Sequence, residues 1–342
     1  MNFRTVVAVV VLALAAALSG CAAYTIDKTI EPSPQEVAAI GREIAKVRDF
    51  HQAVYDVSTF AVDRCARQTL REPFALLTTV SLRKHLTKEQ LAAYWRAGGY
   101  DETWRVLWAL EGSGLAPGDV VLRINGTEIE NNGWDKAPLQ VYFNEAYSGQ
   151  REAESGKPFR ITLASGEERE MPMKPACRTM VWAMPLTGRN DSSDVSTVRP
   201  IVIPPSAIQM AQSQDELRYL AALAVYFSAS AEANTRRWIG ATGMLVGTVL
   251  PGVAPLTATI AAQSAALNIA GRVVATSGMV ENAAHFATQV VADMGGSPHA
   301  GLDLIARLEA SQLGATRVVL KADEQARVRE LAGHLRTTSA GR

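Results

Sequence analysis

The chain has 342 residues, of which 48% are hydrophobic and 20% are charged, and this composition is typical of a folded protein with a sizeable core. Lysine and arginine together number 34, and so do aspartate and glutamate. Because these charges balance, the chain has no general electrostatic attraction to nucleic acid or to acidic membrane surfaces. We therefore expect no nucleic-acid partner.

The N-terminal segment has the pattern of an export signal. Arg4 is followed by an apolar run from Val6 to Leu18, which is too short to be a secure membrane span. The run leads into the sequence LSGC, which ends at Cys21 and resembles the lipobox of bacterial lipoproteins. An ordinary signal peptide followed by a chance cysteine is the alternative.

The lipobox resemblance implies a signal peptide over residues 1–20 and a lipid anchor on the thiol of Cys21. In such lipoproteins the residue after the cysteine influences sorting, and Ala22 resembles the outer-membrane class. The resemblance therefore implies a protein that is lipid-anchored in the bacterial cell envelope, on the outer membrane and facing the periplasm.

The two remaining cysteines, Cys65 and Cys177, would then lie in an oxidising compartment. We predict that they form a disulfide. It would close a loop of more than a hundred residues, for which a chain-entropy model gives roughly 4 to 5 kcal/mol of stabilisation. The alternative is a pair of buried thiols that act as small hydrophobic side chains.

Two capping patterns predict the first helices. Residues 33–36, with the sequence SPQE, begin a long helix, and its apolar residues recur every three or four positions, which predicts one buried stripe. Residues 87–90 begin a shorter helix, and Gly98 and Gly99 end it.

The pattern changes in residues 96–176, where strands and turns replace helices. The segments RVLWAL and VVLRING are predicted strands, the second ends in an Asn-Gly turn, and FRITLASGEEREMPMKP is a predicted hairpin. Residues 112–129, GSGLAPGDVVLRINGTEI, combine turn glycines, an acidic residue and strand periodicity. This run resembles the core of bacterial PDZ domains.

PDZ domains add an extended peptide as a strand to a sheet edge, and backbone amides near a glycine loop hold the terminal carboxylate of the peptide. The resemblance implies a peptide or protein partner and a peptide-binding loop at Gly98, Gly99 and Tyr100. The alternative is that these glycines only cap the preceding helix.

Ser213 and Glu216 begin another capped helix, which is apolar on most of its circumference and is therefore predicted to be buried. The order of segments resembles bacterial lipoproteins of the CAAX-prenyl-protease-like zinc metallopeptidase family that carry a PDZ insertion. The shared features are the lipobox, the long helix, the PDZ-like run, a following cysteine, two short apolar segments and the sequence DEL at residues 215–217.

In that family this helix carries two histidines, one turn apart, that bind Zn²⁺, and a glutamate that activates the bound water. Here Leu223 and Phe227 stand at the histidine positions, and Ala224 stands at the position of the glutamate. A later helix of the family supplies a third ligand and an acid that orients a zinc-bound histidine, where this chain has Asn282 and Ala284.

These vestigial zinc-site positions indicate a pseudopeptidase without a cofactor, so we expect no enzymatic activity. The alternative is a zinc metallopeptidase, an endopeptidase with atypical ligands. For that alternative the candidates are Glu281, His285 and His299, although no pair of them has the spacing of a zinc site.

We expect an α+β fold, in which a mainly helical metallopeptidase-like body contains an inserted PDZ-like β domain. The expected parts are a signal peptide (1–20), a tether with the N-terminal helical part of the body (21–95), a PDZ-like domain (96–176) and a degenerate metallopeptidase-like helical domain (177–342). In the last part, the apolar segments MVWAMPL and IVIPP suggest an edge hairpin.

Residues 238–271 form an apolar segment that prolines break into pieces too short to span a bilayer. Three interpretations of this segment remain: core, a lid, or a surface that rests on the membrane. The expected function of the whole chain is that of a non-catalytic envelope lipoprotein that binds a peptide or protein through its PDZ-like domain. A purely structural lipoprotein is a third alternative, beside the atypical peptidase.

Overall fold

The computed structural model describes residues 26–79, 82, 86–129, 156–179, 181–182, 201–203, 205–229, 277–310 and 322–339. Three sequence-based predictions fall outside these residues: the signal peptide at residues 1–20, lipidation at Cys21, and the apolar segment at residues 238–271. In the described part of the chain, no helix is both long enough and apolar enough to cross a membrane.

The described residues form seven α-helices and ten β-strands, so the fold is a mixture of helix and sheet. The helices are α1 (Pro34–Phe60), α2 (Lys88–Gly98), α3 (Pro205–Met210), α4 (Gln214–Ala229), α5 (Ser277–Asp293), α6 (Ala300–Ala310) and α7 (Ala322–Ser339). The strands are β1 (Gln68–Arg71), β2 (Phe74–Leu77), β3 (Arg105–Ala109), β4 (Val121–Ile124), β5 (Thr127–Glu128), β6 (Phe159–Leu163), β7 (Glu168–Met171), β8 (Lys174–Cys177), β9 (Val181–Trp182) and β10 (Ile201–Val202).

The predicted helix caps at α1 and α2 are present. The Ser33 hydroxyl accepts a hydrogen bond from the N–H of Glu36 at 3.2 Å, and Thr87 and Gln90 cap each other's backbone amides at the start of α2. These bonds satisfy amides that lack partners within the helix. The predicted stripe of α1 is buried from its second turn onward, at Ile40, Ile44, Val47, Phe50, Val54 and Val57.

The largest core lies between helices. Helix α4 packs against α1 on one side and α5 on the other, and it is buried over most of its circumference. Helix α6 packs on α4, and α7 packs on α5. A separate core fills the β-rich unit, and a small third cluster of Tyr55, Ala75 and Trp108 joins α1 to the pair of strands β2 and β3.

The segments predicted as an edge hairpin pair differently in the structure. Strands β9 and β10 are parallel, with Ile201 opposite Val181, whereas a hairpin would make them antiparallel. A parallel pair needs a long crossover connection in place of a tight turn, and residues 183–200 provide that length.

Candidate functional site

The β-rich unit begins earlier in the chain than residue 96. Strand β1 pairs antiparallel with β8, so that Gln68 lies opposite Cys177, and β2 pairs antiparallel with β3. The remaining strands form a four-stranded sheet in the order β5-β4-β6-β7. Residues 68–77 therefore contribute two strands, β1 and β2, that pair with strands of the β-rich unit.

The PDZ-like run forms the turn between β3 and β4 and then the strands β4 and β5. Val106 donates its N–H to the carbonyl of Asp119 and accepts from the N–H of Gly118, both at 2.8 Å. The Asp119 carboxylate accepts from the N–H of Ala116 at 2.8 Å, which holds the turn closed. Asn125 and Gly126 both have positive φ, 47° and 81°, as a tight two-residue hairpin turn requires.

Strand β2 is the candidate binding edge. Among the described residues it pairs with β3 alone. The N–H of Leu110 donates to the carbonyl of Pro73 at 2.8 Å, and alternate residues of an antiparallel strand direct their polar groups to opposite sides. The backbone N–H and C=O of Phe74 are therefore directed away from β3.

Side chains of β2 anchor the strand in two cores. Phe74 and Leu76 lie in the core of the β-rich unit, where the ring centroids of Phe74 and Phe159 are 6.0 Å apart. Leu77 belongs to the helical core. This packing holds the strand at a set position, and all four residues of β2 are buried.

The connection from β1 to β2 consists of Glu72 and Pro73 alone. Proline has no N–H to offer a ligand, and the carbonyl of Pro73 already accepts from Leu110. This connection is therefore unsuited to hold a terminal carboxylate.

The structure gives Gly98, Gly99 and Tyr100 a different role from the predicted peptide-binding loop. Gly99 caps α2 with φ at 71° and donates its N–H to the carbonyl of Trp95. A side chain at Gly98 would clash with the ring of Tyr100. Tyr100 is fully buried, and its hydroxyl accepts from Arg48 at 2.8 Å. These residues end a helix, which was the alternative interpretation.

The vestigial zinc-site positions do not all meet in the structure. Leu223, Ala224 and Phe227 are buried in the core between α1, α4 and α5, and Ala284 on α5 is buried with them. Asn282 is exposed, so its side chain does not join the other positions in the core. A zinc site built at these positions would bring Asn282 together with Leu223 and Phe227, and the exposure of Asn282 does not support that arrangement.

Glu281, the neighbour of Asn282, is engaged by a cation. Arg327 of α7 donates to both carboxylate oxygens, and one of these bonds measures 2.8 Å. The hydrogen bond from Arg327 lowers the pKa of Glu281, as does the positive charge of Arg327. The Nε2 atom of His285 lies 3.9 Å from the same carboxylate. Glu281 therefore joins α7 to α5.

A metal centre would need several ligands close together. Within the ranges that the structure describes, no group of three or more His, Cys, Asp or Glu side chains is arranged to hold a metal ion. His299 precedes α6, where its carbonyl accepts from the N–H of Asp303 at 3.1 Å.

The DEL sequence at the start of α4 has a structural role. The N–H of Glu216 donates to the Ser213 hydroxyl at 3.2 Å, as the capping pattern predicts. The Glu216 carboxylate is buried, accepts from the N–H of Gln212 at 2.7 Å and pairs with Arg307 of α6. The acidic residue thus both caps α4 and attaches α6 to it.

The predicted disulfide between Cys65 and Cys177 is present, with the two Cα atoms 5.6 Å apart. Cys177 is fully buried at the end of β8, and Cys65 follows the short 3-10 helix after α1. The disulfide therefore links the end of α1 to the last strand of the β-rich unit.

The candidate edge itself was missed at the level of sequence. Residues 74–77, FALL, are four apolar residues between a proline and two threonines, a length and boundary that suit a short buried strand. They stand between two strong helix patterns, however, and their partner strand begins only at Arg105.

Comparison with known proteins provides no relative for this arrangement. The chain matches no protein-family model, no curated protein and no solved structure. Its function must therefore be inferred from its own residues.

Proposed function

We propose that this protein is a non-catalytic lipoprotein of the cell envelope that is anchored through Cys21 and binds an extended segment of a partner protein along the side of β2 that is directed away from β3. The observation that carries the proposal is the backbone direction at Phe74, away from the paired strand β3. A peptide added at this edge gains main-chain hydrogen bonds, which is the binding mode of β-strand addition.

The arrangement of strands supports a PDZ-like unit. The first strand, β1, pairs with the last, β8, β2 and β3 are antiparallel, and the PDZ-like run forms the turn after β3. In the PDZ-like interpretation, the ligand edge belongs to the second strand of the unit, which is β2.

The ligand is an internal segment of its partner and needs no free C-terminus. A carboxylate at the β1–β2 connection would find no amide hydrogen at Pro73. The amide of Gly99 is occupied by the end of α2. Recognition therefore rests on main-chain pairing along β2 and on side-chain contacts beside the strand.

Selection of random peptides tests this binding mode. A soluble chain that starts at Ala22, without the lipidated cysteine, is used to select from a phage library in which each peptide is flanked on both sides. A selected sequence is then synthesised twice, once with acetylated and amidated ends and once with a free carboxylate. We expect equal affinity for both forms, and no binding of a scrambled sequence.

Amide hydrogen exchange of the complex locates the binding edge. We expect the selected peptide to protect residues 74–77 more than residues 168–171. Residues 168–171 form β7, which is an outer strand of its own sheet and therefore serves as the internal control. Failure to select any peptide above the scrambled control, or protection confined to β7, contradicts binding at β2. A strict requirement for the free carboxylate contradicts only recognition of an internal segment.

Labelled palmitate tests the anchor. We expect label on the wild-type chain after expression with its N-terminal segment, and none on Cys21→Ala. Label that persists on Cys21→Ala would place the acyl chain elsewhere and remove this part of the proposal.

Zinc analysis tests the non-catalytic part of the proposal. Leu223, Ala224 and Phe227 have no atom able to bind Zn²⁺ or to transfer a proton, and they are buried. For protein purified from an oxidising compartment without chelators or a His tag, we expect no stoichiometric zinc by elemental mass spectrometry. Stoichiometric zinc that survives dialysis would favour the atypical peptidase instead.

A further inference from the structure

The residues just after the predicted lipid anchor are held against the folded body. Asp27 accepts hydrogen bonds from the N–H and the hydroxyl of Thr29, at 3.0 and 2.6 Å, and its carbonyl accepts from the N–H of Ile30 at 3.3 Å. These bonds form a compact turn, which is fixed in place by contacts on both sides. Ile26 is buried, and its N–H donates to the Glu102 carboxylate.

Lys28 makes the charged contact of this turn. Its ammonium lies 3.9 Å from the centroid of the Trp95 ring and 3.8 Å from the Asp101 carboxylate. A cation over an indole ring is the most favourable cation–π geometry. Arg96 donates to the carbonyl of Lys28 at 3.5 Å. We call this set of contacts, between residues 26–30 and Trp95, Arg96, Asp101 and Glu102, the tether dock.

The receiving side of the tether dock is itself rigid. Arg105 donates two hydrogen bonds to the Asp101 carboxylate, at 3.0 and 2.9 Å, and Thr103 adds two more. Burial raises the pKa of Asp101, but the hydrogen bonds from Arg105 and Thr103 outweigh burial and lower it overall. Asp101 therefore stays ionised at neutral pH as a partner for Lys28.

The length of the tether then limits where the membrane can be. Ile26 follows Cys21 by five positions, and a fully extended chain of that length spans about 18 Å at most. Acyl chains on Cys21 would lie in the bilayer. The tether dock must therefore lie within about 18 Å of the acylated residue. This distance is less than the thickness of the bilayer.

We infer that the tether dock orients the folded body on the bilayer, with α2 and the start of β3 facing the lipid headgroups. This inference rests on the proposed acylation of Cys21. It specifies an interaction surface: the partner is the bilayer surface, and it meets the protein at the face that carries Lys28, Lys88 and Arg96, all of which are exposed. A body on an undocked tether would have no preferred orientation.

The orientation also decides what the β2 edge can reach. The hydroxyl of Thr78, directly after β2, donates to the carbonyl of Glu102 at 2.9 Å, and the N–H of Thr79 donates to the carbonyl of Asp101. The end of β2 therefore adjoins the tether dock. A partner segment bound at β2 therefore lies close to the membrane surface. An extended segment next to the membrane anchor of another envelope protein lies at the same height and fits this position.

Quenching of a fluorescent label by spin-labelled lipid headgroups tests the orientation. The full acylated chain is placed in phosphatidylcholine vesicles with a label on Lys88→Cys or, as the matched control, on Arg329→Cys. Both positions are exposed helical residues. Lys88 lies seven residues before Trp95 in α2, and therefore on the same face of that helix. We expect strong quenching at position 88 and little at position 329.

Two variants separate the dock from the anchor. Trp95→Ala combined with Glu102→Ala removes two contacts of the tether, and a Gly-Ser insertion between Cys21 and Ile26 lengthens the tether without touching the folded body. We expect either change to bring quenching at position 88 down toward that at position 329, while the protein still floats with the vesicles.

The outcomes distinguish the two proposals. Protein that fails to float with vesicles contradicts acylation of Cys21 and removes the basis of the orientation. Equal quenching at both positions on protein that does float contradicts the orientation alone. Unchanged quenching after the Gly-Ser insertion also contradicts it, and this variant remains decisive if the double substitution fails to fold.

Discussion

The carboxylate of Asp215 accepts a hydrogen bond from the backbone N–H of Ser297 at 2.8 Å. Asp215 stands at the start of α4, and Ser297 stands in the turn between α5 and α6. The same carboxylate pairs with Arg218 at 3.1 Å. The bond from Ser297 to Asp215 and the pair of Glu216 and Arg307 together fix the position of α6 against α4. The first two residues of the DEL sequence therefore hold two helices together.

Replacement of Asp215 tests this role. We expect Asp215→Ala to lower the free energy of unfolding by about 1 to 2 kcal/mol, because the Ser297 amide and Arg218 lose their acceptor. Asp303→Ala is the control, since Asp303 is an exposed acid on α6, and we expect a change within about 0.5 kcal/mol. Urea unfolding measures both, and equal losses would mean that Asp215 has no special role.

The close packing of α6 on α4 gives a second prediction. A methyl group added at Gly301 would overlap the buried ring of Tyr219, whereas one added at Gly333 on α7 meets nothing within 4 Å. We expect Gly301→Ala to destabilise the fold by about 1 to 3 kcal/mol.

Gly333→Ala is its matched control and should stabilise the fold by about 0.5 to 1 kcal/mol, because alanine favours the helix. Thermal unfolding of the two variants gives the comparison. A Gly301→Ala variant as stable as the wild type would show that Tyr219 can move aside at no cost.

The vestigial position Leu223 tests the role of α4 as a core helix. Leu223 is fully buried, whereas Leu122 on β4 is 43% exposed. We expect Leu223→Ala to cost about 2 to 5 kcal/mol, because it leaves a cavity, and Leu122→Ala to cost less than about 1 kcal/mol. Chemical denaturation measures both. A small loss at Leu223 would mean that the site behaves as an open cleft.

The disulfide is a further determinant of stability. We expect Cys65→Ala combined with Cys177→Ala to lower the free energy of unfolding by about 2 to 5 kcal/mol. Intact mass should rise by the mass of two hydrogen atoms when the unfolded wild-type protein is reduced, and it should stay constant for the double variant. An unchanged mass for the wild type would show that the thiols are free.

The pH dependence of stability tests the Asp101 contacts. The folded-state pKa of Asp101 lies below its ordinary value of 3.8, so the native state favours the ionised form. Its stabilising effect is fully present above pH 3.8 and is lost as the pH falls through the lowered folded-state pKa.

Asp101→Asn provides the comparison for that effect. We expect the wild type to be more stable than Asp101→Asn at neutral pH, and the difference to shrink on acidification below pH 3.8. A difference that grows in acid would contradict the direction of the shift.

Local sequence patterns predicted the elements whose signals are local. Ser33, Thr87 and Gly99 mark helix ends through side-chain and backbone bonds to residues three or four positions away, and Asn125 and Gly126 form a turn by their own φ values. The buried stripe of α1 follows from the same short period. Each of these features depends on neighbours within one or two turns.

Tertiary structure alone decided where the candidate edge and the tether dock lie. The length and boundaries of β2 suit a short buried strand, but its place at the edge of a pair depends on β3, whose first residue, Arg105, is distant in sequence. Asn282 was predicted at a buried ligand position by counting residues, but the rotation of α5 in its packing leaves Asn282 exposed. Counting along a chain does not fix which face of a helix meets the core.

The sequence by itself therefore determined the helix caps and the hairpin turn, because each is a property of residue type and short spacing. It also identified Cys65 and Cys177 as the disulfide pair, because they are the two cysteines that remain beside Cys21. Only the tertiary structure decided that the amide of Gly99 is bonded to the end of α2, and that Lys28 lies against Trp95. These contacts depend on which residues the fold brings together. The burial of apolar surface over the whole chain determines that arrangement.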